Sequence, residues 1–219
     1  MPTHHKFLTP RTAHYYTLGE AGPQTKRLWF ACHGYAQLAQ HFIRKFDVLA
    51  GPEDYVVAPE GLSRFYWGGL DGPVAASWMT RGNRLDEIRD YTNMLSTLFQ
   101  EQLDKCPQEV EVILFGFSQG CATLVRWLVQ DLPRFDQLWL WGGLIPEDLD
   151  YRQPEISEHL AGKPIHHFRG DADPLIKDEY IELHRELIKK QELIVQEHSY
   201  AGDHRVVREE LKRFVKRLT

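Results

Sequence analysis

The 219-residue sequence has no apolar run that approaches the roughly 20 residues of a membrane-spanning helix, so we expect no transmembrane segment. Its first ten residues lack the apolar centre of a signal peptide. Cysteine is scarce: Cys32, Cys106 and Cys121 form neither a disulfide framework nor a metal-binding pattern. These absences together predict a protein of the reducing cytoplasm.

Positive charge is in deficit as well, with 26 Lys and Arg against 31 Asp and Glu and a net charge of −5. This balance argues against a nucleic acid or an anionic membrane as the partner. The sequence also lacks internal repeats, low-complexity tracts and an interdomain linker. Because a chain of this length can bury one substantial core, we expect residues 1–219 to form one domain.

Short apolar runs rich in β-forming residues recur along the chain and predict strands. They cover residues 28–31, 55–58, 110–115, 138–141, 165–168 and 193–195, with Tyr15–Leu18 as a candidate edge strand. Apolar residues at three- and four-residue steps predict helices within 85–103, 181–188 and 206–218. The alternation favours an α/β fold with a mostly parallel central sheet and helices on both faces.

The most informative motif is Gly116-Phe117-Ser118-Gln119-Gly120. A predicted strand precedes it and a helix-like apolar run follows it, which is the context of a nucleophile elbow. In such a turn the serine backbone is strained, and the flanking glycines leave room where strand and helix pass closely. A chance match is expected roughly 3% of the time in a chain of this composition, so we interpret Ser118 as a nucleophile.

A serine hydroxyl needs a neighbouring base, and hydrolases with this elbow place an acid and then a histidine later in the chain. His204 follows the last predicted strand, in a loop on the same side as the elbow; His198, at the end of that strand, is the alternative base. Asp171 and Asp173 follow the 165–168 strand, and either carboxylate could reach an imidazole. Asp171, beside a glycine, could instead shape the turn.

The oxyanion of a tetrahedral intermediate is usually bound by backbone N–H groups. We expect one donor to be the N–H of Gln119, directly after the nucleophile. The other should come from the loop after the 28–31 strand, where the sequence His33-Gly34-Tyr35 makes the Tyr35 N–H the candidate. His33 has no neighbours with metal-ligand spacing, so its expected role is to shape this loop by hydrogen bonding.

Residues 61–84 interrupt the pattern with several glycines and four aromatic residues, Phe65, Tyr66, Trp67 and Trp78. A loop of this length in a compact domain is usually functional or disordered, and its aromatic content argues against disorder. We expect these four side chains to form one wall of an apolar substrate pocket. The alternative is a loop that packs only on itself.

Five short motifs resemble those of the phospholipase/carboxylesterase branch of the α/β-hydrolases, which includes acyl-protein thioesterases. They are Cys32-His33-Gly34, Ala58-Pro59-Glu60-Gly61, Gly116-Phe117-Ser118-Gln119-Gly120, Gly170-Asp171-Ala172-Asp173 and Gly202-Asp203-His204. The resemblance extends from about residue 28 to the C-terminus. It implies that Asp173, the last residue of Gly-x-x-Asp, is the acid, and that His204 is the base.

The resemblance implies a serine esterase with a Ser118–Asp173–His204 triad. Its expected substrates are carboxylic esters or thioesters of small molecules or lipids, and it should need no cofactor or metal. Lysophospholipase and acyl-protein thioesterase are alternatives that would use the same triad. A hydrolase-fold binding protein without catalysis is the remote alternative. Only 32 residues separate Trp141 from Asp173, and they include a strand, so we expect no cap domain. A homodimer is left open.

Overall fold

The computed structural model describes residues 1–49 and 51–218. Its strands are β1 (Tyr15–Leu18), β2 (Arg27–Cys32), β3 (Asp54–Pro59), β4 (Ser63–Tyr66), β5 (Val74–Ser77), β6 (Glu111–Phe117), β7 (Gln137–Trp141), β8 (Ile165–Gly170) and β9 (Val195–Tyr200). Its helices are α1 (Ala39–Phe42), a 3₁₀ helix (Ile43–Leu49), α2 (Arg84–Leu103), α3 (Gln119–Asp131), α4 (Pro154–Leu160), α5 (Asp178–Lys190) and α6 (Arg208–Leu218).

Seven of the strands form one sheet in the order β1-β3-β2-β6-β7-β8-β9. Strand β1 pairs antiparallel with β3, and every other pair in this sheet is parallel. The described connection from β7 to β8, residues 142–164, contains only the short helix α4. The predicted α/β fold with a mostly parallel sheet and no cap domain is therefore confirmed.

Each face of the sheet carries its own core, because successive side chains of a strand point to opposite faces. Along β2, Leu28 and Phe30 join the cluster that packs on α2 and α3. Trp29 and Ala31 join the opposite cluster, which packs on α1, the 3₁₀ helix and α6. Helices therefore cover both faces, and the carboxyl ends of the parallel strands stay open at one edge of the sheet.

The start of the last strand and three short helices differ from the sequence prediction. The strand predicted at 193–195 instead begins at Val195, because Glu192 has φ +58° and the Leu193 N–H donates to the Ile188 carbonyl in the turn that ends α5. The two short helical segments after β2, and α4, were not predicted. Their apolar residues, such as Phe42 and Phe46, are spaced for one buried face, but each helix is only one or two turns long.

Residues 61–84 are not one long loop, which corrects the sequence interpretation. Strands β4 and β5 pair antiparallel as a hairpin, with Phe65 opposite Ala75 and Tyr66 opposite Val74. The Gln37 bridge to Ala76 ties this hairpin to the loop after β2. The glycines that suggested a loop lie mainly in the hairpin's connection, at positions 68, 69 and 72.

Four buried histidines have lowered pKa values. Burial lowers the pKa of His33, His166, His167 and His184 to about 4 in each case. An unfolded histidine titrates near about 6.5, so between pH 6.5 and 4 the unfolded chain binds more protons than the folded one. The free energy of unfolding should therefore fall as the pH drops through this window, by about 2 kcal/mol per histidine at pH 5.

Urea unfolding at pH 7 and pH 5 checks this expectation. His184 Nε2 accepts the Ile145 N–H at 3.1 Å, and a glutamine side-chain oxygen can replace that acceptor. His184→Gln should therefore lose less stability between the two pH values than the parent, by about 2 kcal/mol. His41→Gln, at an exposed position, is the control and should keep the parental dependence. If all three proteins lost the same free energy of unfolding between pH 7 and pH 5, the lowered pKa of His184 would be contradicted.

Candidate active site

Ser118 lies in a sharp turn between the end of β6 and the start of α3. Its backbone has φ +52° and ψ −117°, a conformation that is strained for a residue with a side chain. A Cβ atom on Gly120 would lie 2.2 Å from the Cys32 carbonyl oxygen, and one on Gly116 would lie 2.7 Å from the Cys121 Cα. Only glycine fits at either position, so the turn has the geometry expected of a nucleophile elbow.

The structure brings Ser118, His204 and Asp173 into one hydrogen-bonded line. His204 Nε2 lies 2.9 Å from Ser118 Oγ, and His204 Nδ1 lies 2.7 Å from Asp173 Oδ2. The His204 ring also packs on Phe117, with 5.1 Å between the ring centroids. These contacts hold the imidazole between the hydroxyl and the carboxylate, which is the arrangement required for a base that removes the serine proton.

Asp173 is positioned by its own backbone contacts. The side chain is 1% exposed, and its Oδ1 accepts the N–H groups of Leu175 at 2.8 Å and Ile176 at 3.2 Å. Asp171, the other acid considered, is exposed and accepts the Gly202 N–H at 2.9 Å. Asp171 therefore fastens the β8 loop to the loop that carries His204, while Asp173 contacts the imidazole.

His198 lies away from the nucleophile. Its Nε2 is 3.0 Å from His166 Nδ1, and its Nδ1 accepts a hydrogen bond from Arg217 Nη2 at 2.8 Å. Since Arg217 is always a donor, His198 Nδ1 is the acceptor and its Nε2 carries the proton. The alternative base is therefore occupied by a network beneath α6 rather than directed at Ser118.

Both predicted oxyanion donors lie next to Ser118. Gln119 follows it directly, and a Cβ built on Gly34 would lie 3.2 Å from Ser118 Cβ, which places the Gly34–Tyr35 peptide beside the nucleophile. Within the described residues, neither the Gln119 N–H nor the Tyr35 N–H donates to a protein acceptor. Both groups are therefore free to bind a ligand oxygen.

The Gln119 side chain fixes the elbow to the hairpin. Its Oε1 accepts the Trp78 N–H at 3.1 Å and the Ser77 hydroxyl at 3.3 Å, and its Nε2 donates to the Met79 carbonyl at 2.9 Å. The residue that supplies a candidate oxyanion N–H is thus held in place by its side chain. The sequence motif contained Gln119, but only the structure shows what its amide contacts.

His33 fixes the second candidate donor in a similar way. Its Nε2 accepts the Gly61 N–H at 3.0 Å, so the proton resides on Nδ1, which donates to the Gly34 carbonyl at 2.7 Å. In a planar trans peptide the carbonyl and the following N–H point in opposite directions. The His33 ring therefore sets the direction of the Tyr35 N–H, which specifies the loop-shaping role predicted from the sequence.

Three aromatic rings stand beside the site. Tyr35 stacks on Phe65 with 5.4 Å between centroids and meets Trp67 edge-on at 5.7 Å. Tyr66 lies on the other face of β4, because neighbouring side chains alternate. Trp78 is 1% exposed, and its Nε1 donates to the His33 carbonyl at 2.8 Å. It lines a different pocket, with Leu62 and Met94, so its part in a substrate pocket stays a prediction.

Two glycines that were not singled out from the sequence complete the site. A Cβ on Gly142, which has φ +60°, would lie 3.4 Å from the His204 ring, and one on Gly143 would lie 2.5 Å from the Ser118 carbonyl oxygen. In the sequence, the only sign of their role is that two glycines stand next to each other directly after β7. A side chain at Gly143 would collide with the nucleophile's backbone, and the positive φ of Gly142 is one that other residues rarely adopt, so both positions favour glycine.

Within residues 1–49 and 51–218, no group of three or more His, Cys, Asp or Glu side chains is arranged to hold a metal ion. None of the helices in this part of the chain is long and apolar enough to cross a membrane.

The fold is shared with solved esterase structures of low sequence identity. Acyl-protein thioesterase 2 of Zea mays matches with a TM-score of 0.73 and 17% identity over 94% of this chain and 98% of its own. A phospholipase/carboxylesterase from Dyadobacter fermentans matches with a TM-score of 0.64 and 16% identity over 96% and 98%. The Bacillus cereus carboxylesterase matches with a TM-score of 0.65 and 14% identity over 94% of each chain.

The search of curated proteins returned no match. The model of the phospholipase/carboxylesterase family matches residues 19–219, which includes the elbow, the candidate acid and the candidate base. The chain therefore belongs to the phospholipase/carboxylesterase family and is a hydrolase of the α/β-hydrolase fold.

Proposed function

We propose that this hydrolase cleaves carboxylic esters and thioesters through an acyl-enzyme on Ser118. The observation that carries the proposal is the continuous hydrogen-bonded line from Ser118 through His204 to the buried Asp173. A serine hydroxyl outside such a line is a poor nucleophile at neutral pH. Two free N–H groups beside the same hydroxyl add the electrostatic stabilisation that acyl transfer requires.

In the first half-reaction Ser118 Oγ attacks the acyl carbonyl while His204 Nε2 takes the hydroxyl proton. Asp173 holds the Nδ1–H tautomer and stabilises the imidazolium that forms. The Gln119 and Tyr35 N–H groups donate to the oxyanion of the tetrahedral intermediate. His204 then gives the proton to the leaving alcohol or thiol, and the acyl group remains on Ser118.

In the second half-reaction water attacks the acyl-enzyme, with His204 again as the base. The regenerated serine and the carboxylic acid product complete the cycle. An alcohol and a thiol leave by the same route, so an acyl-protein thioesterase or a lysophospholipase would need no different catalytic group. Because no cap covers the carboxyl ends of the strands, the site is accessible to esters with bulky leaving groups.

A fluorophosphonate probe tests the nucleophile directly. The probe should label the folded chain once, at Ser118, because among the described serines Ser118 alone is hydrogen-bonded to an imidazole base. Intact mass and peptide mapping give the stoichiometry and the position. Ser118→Ala should abolish labelling, whereas Ser199→Ala, at an exposed position of β9, should leave it unchanged. Labelling at another residue, or none on folded protein, would refute the proposal.

We also propose that Tyr35, Phe65 and Trp67 form an apolar wall that contacts the substrate. Trp67→Ala should then lower kcat/KM for an octanoate ester more than for an acetate ester, because the wall contacts only the longer chain. Chain-length series of 4-nitrophenyl esters measure this ratio.

Trp78→Ala is the comparison for a buried tryptophan of the same segment. Its side chain is in the core, so the change should cost about 3–5 kcal/mol of folding free energy and lower the Tm. An equal loss on both esters for Trp67→Ala, accompanied by a lower Tm, would assign Trp67 a folding role instead.

A further inference from the structure

A groove outside the triad lies between the helical segment after β2 and the β4–β5 hairpin. Its volume is about 350 Å³, at the lower end of the roughly 300–1,000 Å³ typical of ligand pockets. On the helical side Leu38, His41, Phe42 and Lys45 recur at three- and four-residue steps and line one wall. The hairpin supplies the other wall, which includes Trp67 and residues 73–75.

The groove adjoins the candidate active site through two aromatic contacts. Trp67 lines the groove and meets the Tyr35 ring, whose N–H is a candidate oxyanion donor. Phe42 lines it from the opposite wall and stacks on Phe117, with 6.3 Å between centroids. Phe117 precedes the nucleophile and contacts the His204 ring. A substituent of a substrate bound at Ser118 could therefore extend into this groove.

The charge of the groove has one sign. Among the described residues that line it, Lys45 is the only one with a permanent charge, His41 can add a donor, and none is Asp or Glu. The nearest acid along the helical segment, Asp47, pairs with Arg208. Among the described residues no carboxylate pairs with Lys45, so its ammonium is available to an anion.

We propose that the groove binds an aliphatic chain that ends in an anionic group. The chain would pack on Leu38, Phe42 and Trp67, while Lys45 Nζ binds the carboxylate or phosphate at its end. Resting on the proposed function, this identifies the substrate class as esters whose acyl or leaving group is an anionic amphiphile.

Isothermal titration calorimetry with monomeric ten-carbon amphiphiles tests the proposal without any turnover. Decyl phosphate and decanoate should both bind more tightly than decanol, and decyltrimethylammonium most weakly. Comparison of the first two separates a phosphate from a carboxylate preference. Raising the salt from 0.05 to 0.5 M should weaken binding of the two anions and leave decanol unchanged, because salt screens an exposed charge pair.

Lys45→Met keeps the apolar stem and removes the charge. Because one hydrogen bond to a charged group is lost, the affinity for decyl phosphate should fall about tenfold. The affinity for decanol should not change. Arg44→Met is the matched control: Arg44 is the exposed neighbour outside the groove lining and should bind like the parent. Circular dichroism and Tm confirm that both variants fold.

Equal affinity of all four amphiphiles, or equal binding by the parent and Lys45→Met, would overturn the proposal. Binding only to vesicles that contain phosphatidylserine, and not to monomers, would also overturn it and assign the face to a membrane surface. Labelling of Ser118 separates the two proposals. If Ser118 is labelled and decyl phosphate does not bind, the groove proposal alone fails. If decyl phosphate binds and Ser118 is not labelled, the hydrolytic proposal and the substrate class fail, while the groove remains a binding site for anionic amphiphiles.

Discussion

Replacing His204 with alanine is expected to lower kcat/KM by at least about 10³-fold, as removal of a triad member does in other serine hydrolases. The imidazole is the group within 2.9 Å of Ser118 Oγ that can take its proton. Nucleophile and base act as a unit, so His204→Ala combined with Ser118→Ala should be little worse than either change alone. Initial rates on 4-nitrophenyl acetate, corrected for uncatalysed hydrolysis, measure the effect.

His198→Ala is the control for this experiment. It removes a histidine at a similar depth that bonds His166 and Arg217 instead of the nucleophile. We expect it to lower stability and to keep kcat/KM within about threefold of the parent, since it contacts no reacting atom. If His198→Ala were the inactive variant and His204→Ala the active one, the base would have to be reassigned.

Asp173→Asn is expected to lower kcat on the order of 10⁴-fold, through the tautomer of His204. The N–H groups of Leu175 and Ile176 would hold the asparagine oxygen where Asp173 Oδ1 lies. The amide NH₂ would then face His204 Nδ1 and require it to accept a hydrogen bond. The imidazole proton would move to Nε2, and Nε2 could no longer take the Ser118 proton.

Asp171→Asn provides the matched change two residues away. An asparagine oxygen can still accept the Gly202 N–H that Asp171 accepts at 2.9 Å. We therefore expect kcat to stay within about threefold of the parent, because no atom of the proton pathway changes. The same assay and a thermal scan apply to both variants. A large kcat loss in Asp171→Asn with a small one in Asp173→Asn would exchange the two roles.

The parts of the site that the sequence predicts are those fixed by chain order. A strand, a glycine-flanked serine and a helix leave one way to build the turn at Ser118. Parallel strands end at one edge of the sheet, so residues that follow different strands, such as Asp173 and His204, are brought together there. Edge strand Tyr15–Leu18 was predicted with the bounds that the structure has.

Orientation within a segment was not predictable in this way. Trp67 and Trp78 belong to the same aromatic segment, yet one is half exposed and the other is buried, because a hairpin turns one end of the segment outward. The contacts of His33 and Gln119 are likewise long-range, reaching Gly61 and Met79 across the fold. Amino-acid composition and hydrophobic periodicity carry no information on such contacts, since the contacts depend on tertiary packing.

The distribution of tryptophans has a spectroscopic consequence. Five of the six are at most 1% exposed, whereas Trp67 is 51% exposed. In the native protein a soluble quencher such as iodide should therefore reach the indole of Trp67 and spare the others. The quenched fraction of the emission then reports one position, beside Tyr35 and at the mouth of the groove. A ligand that covers this ring would be visible by fluorescence without any label.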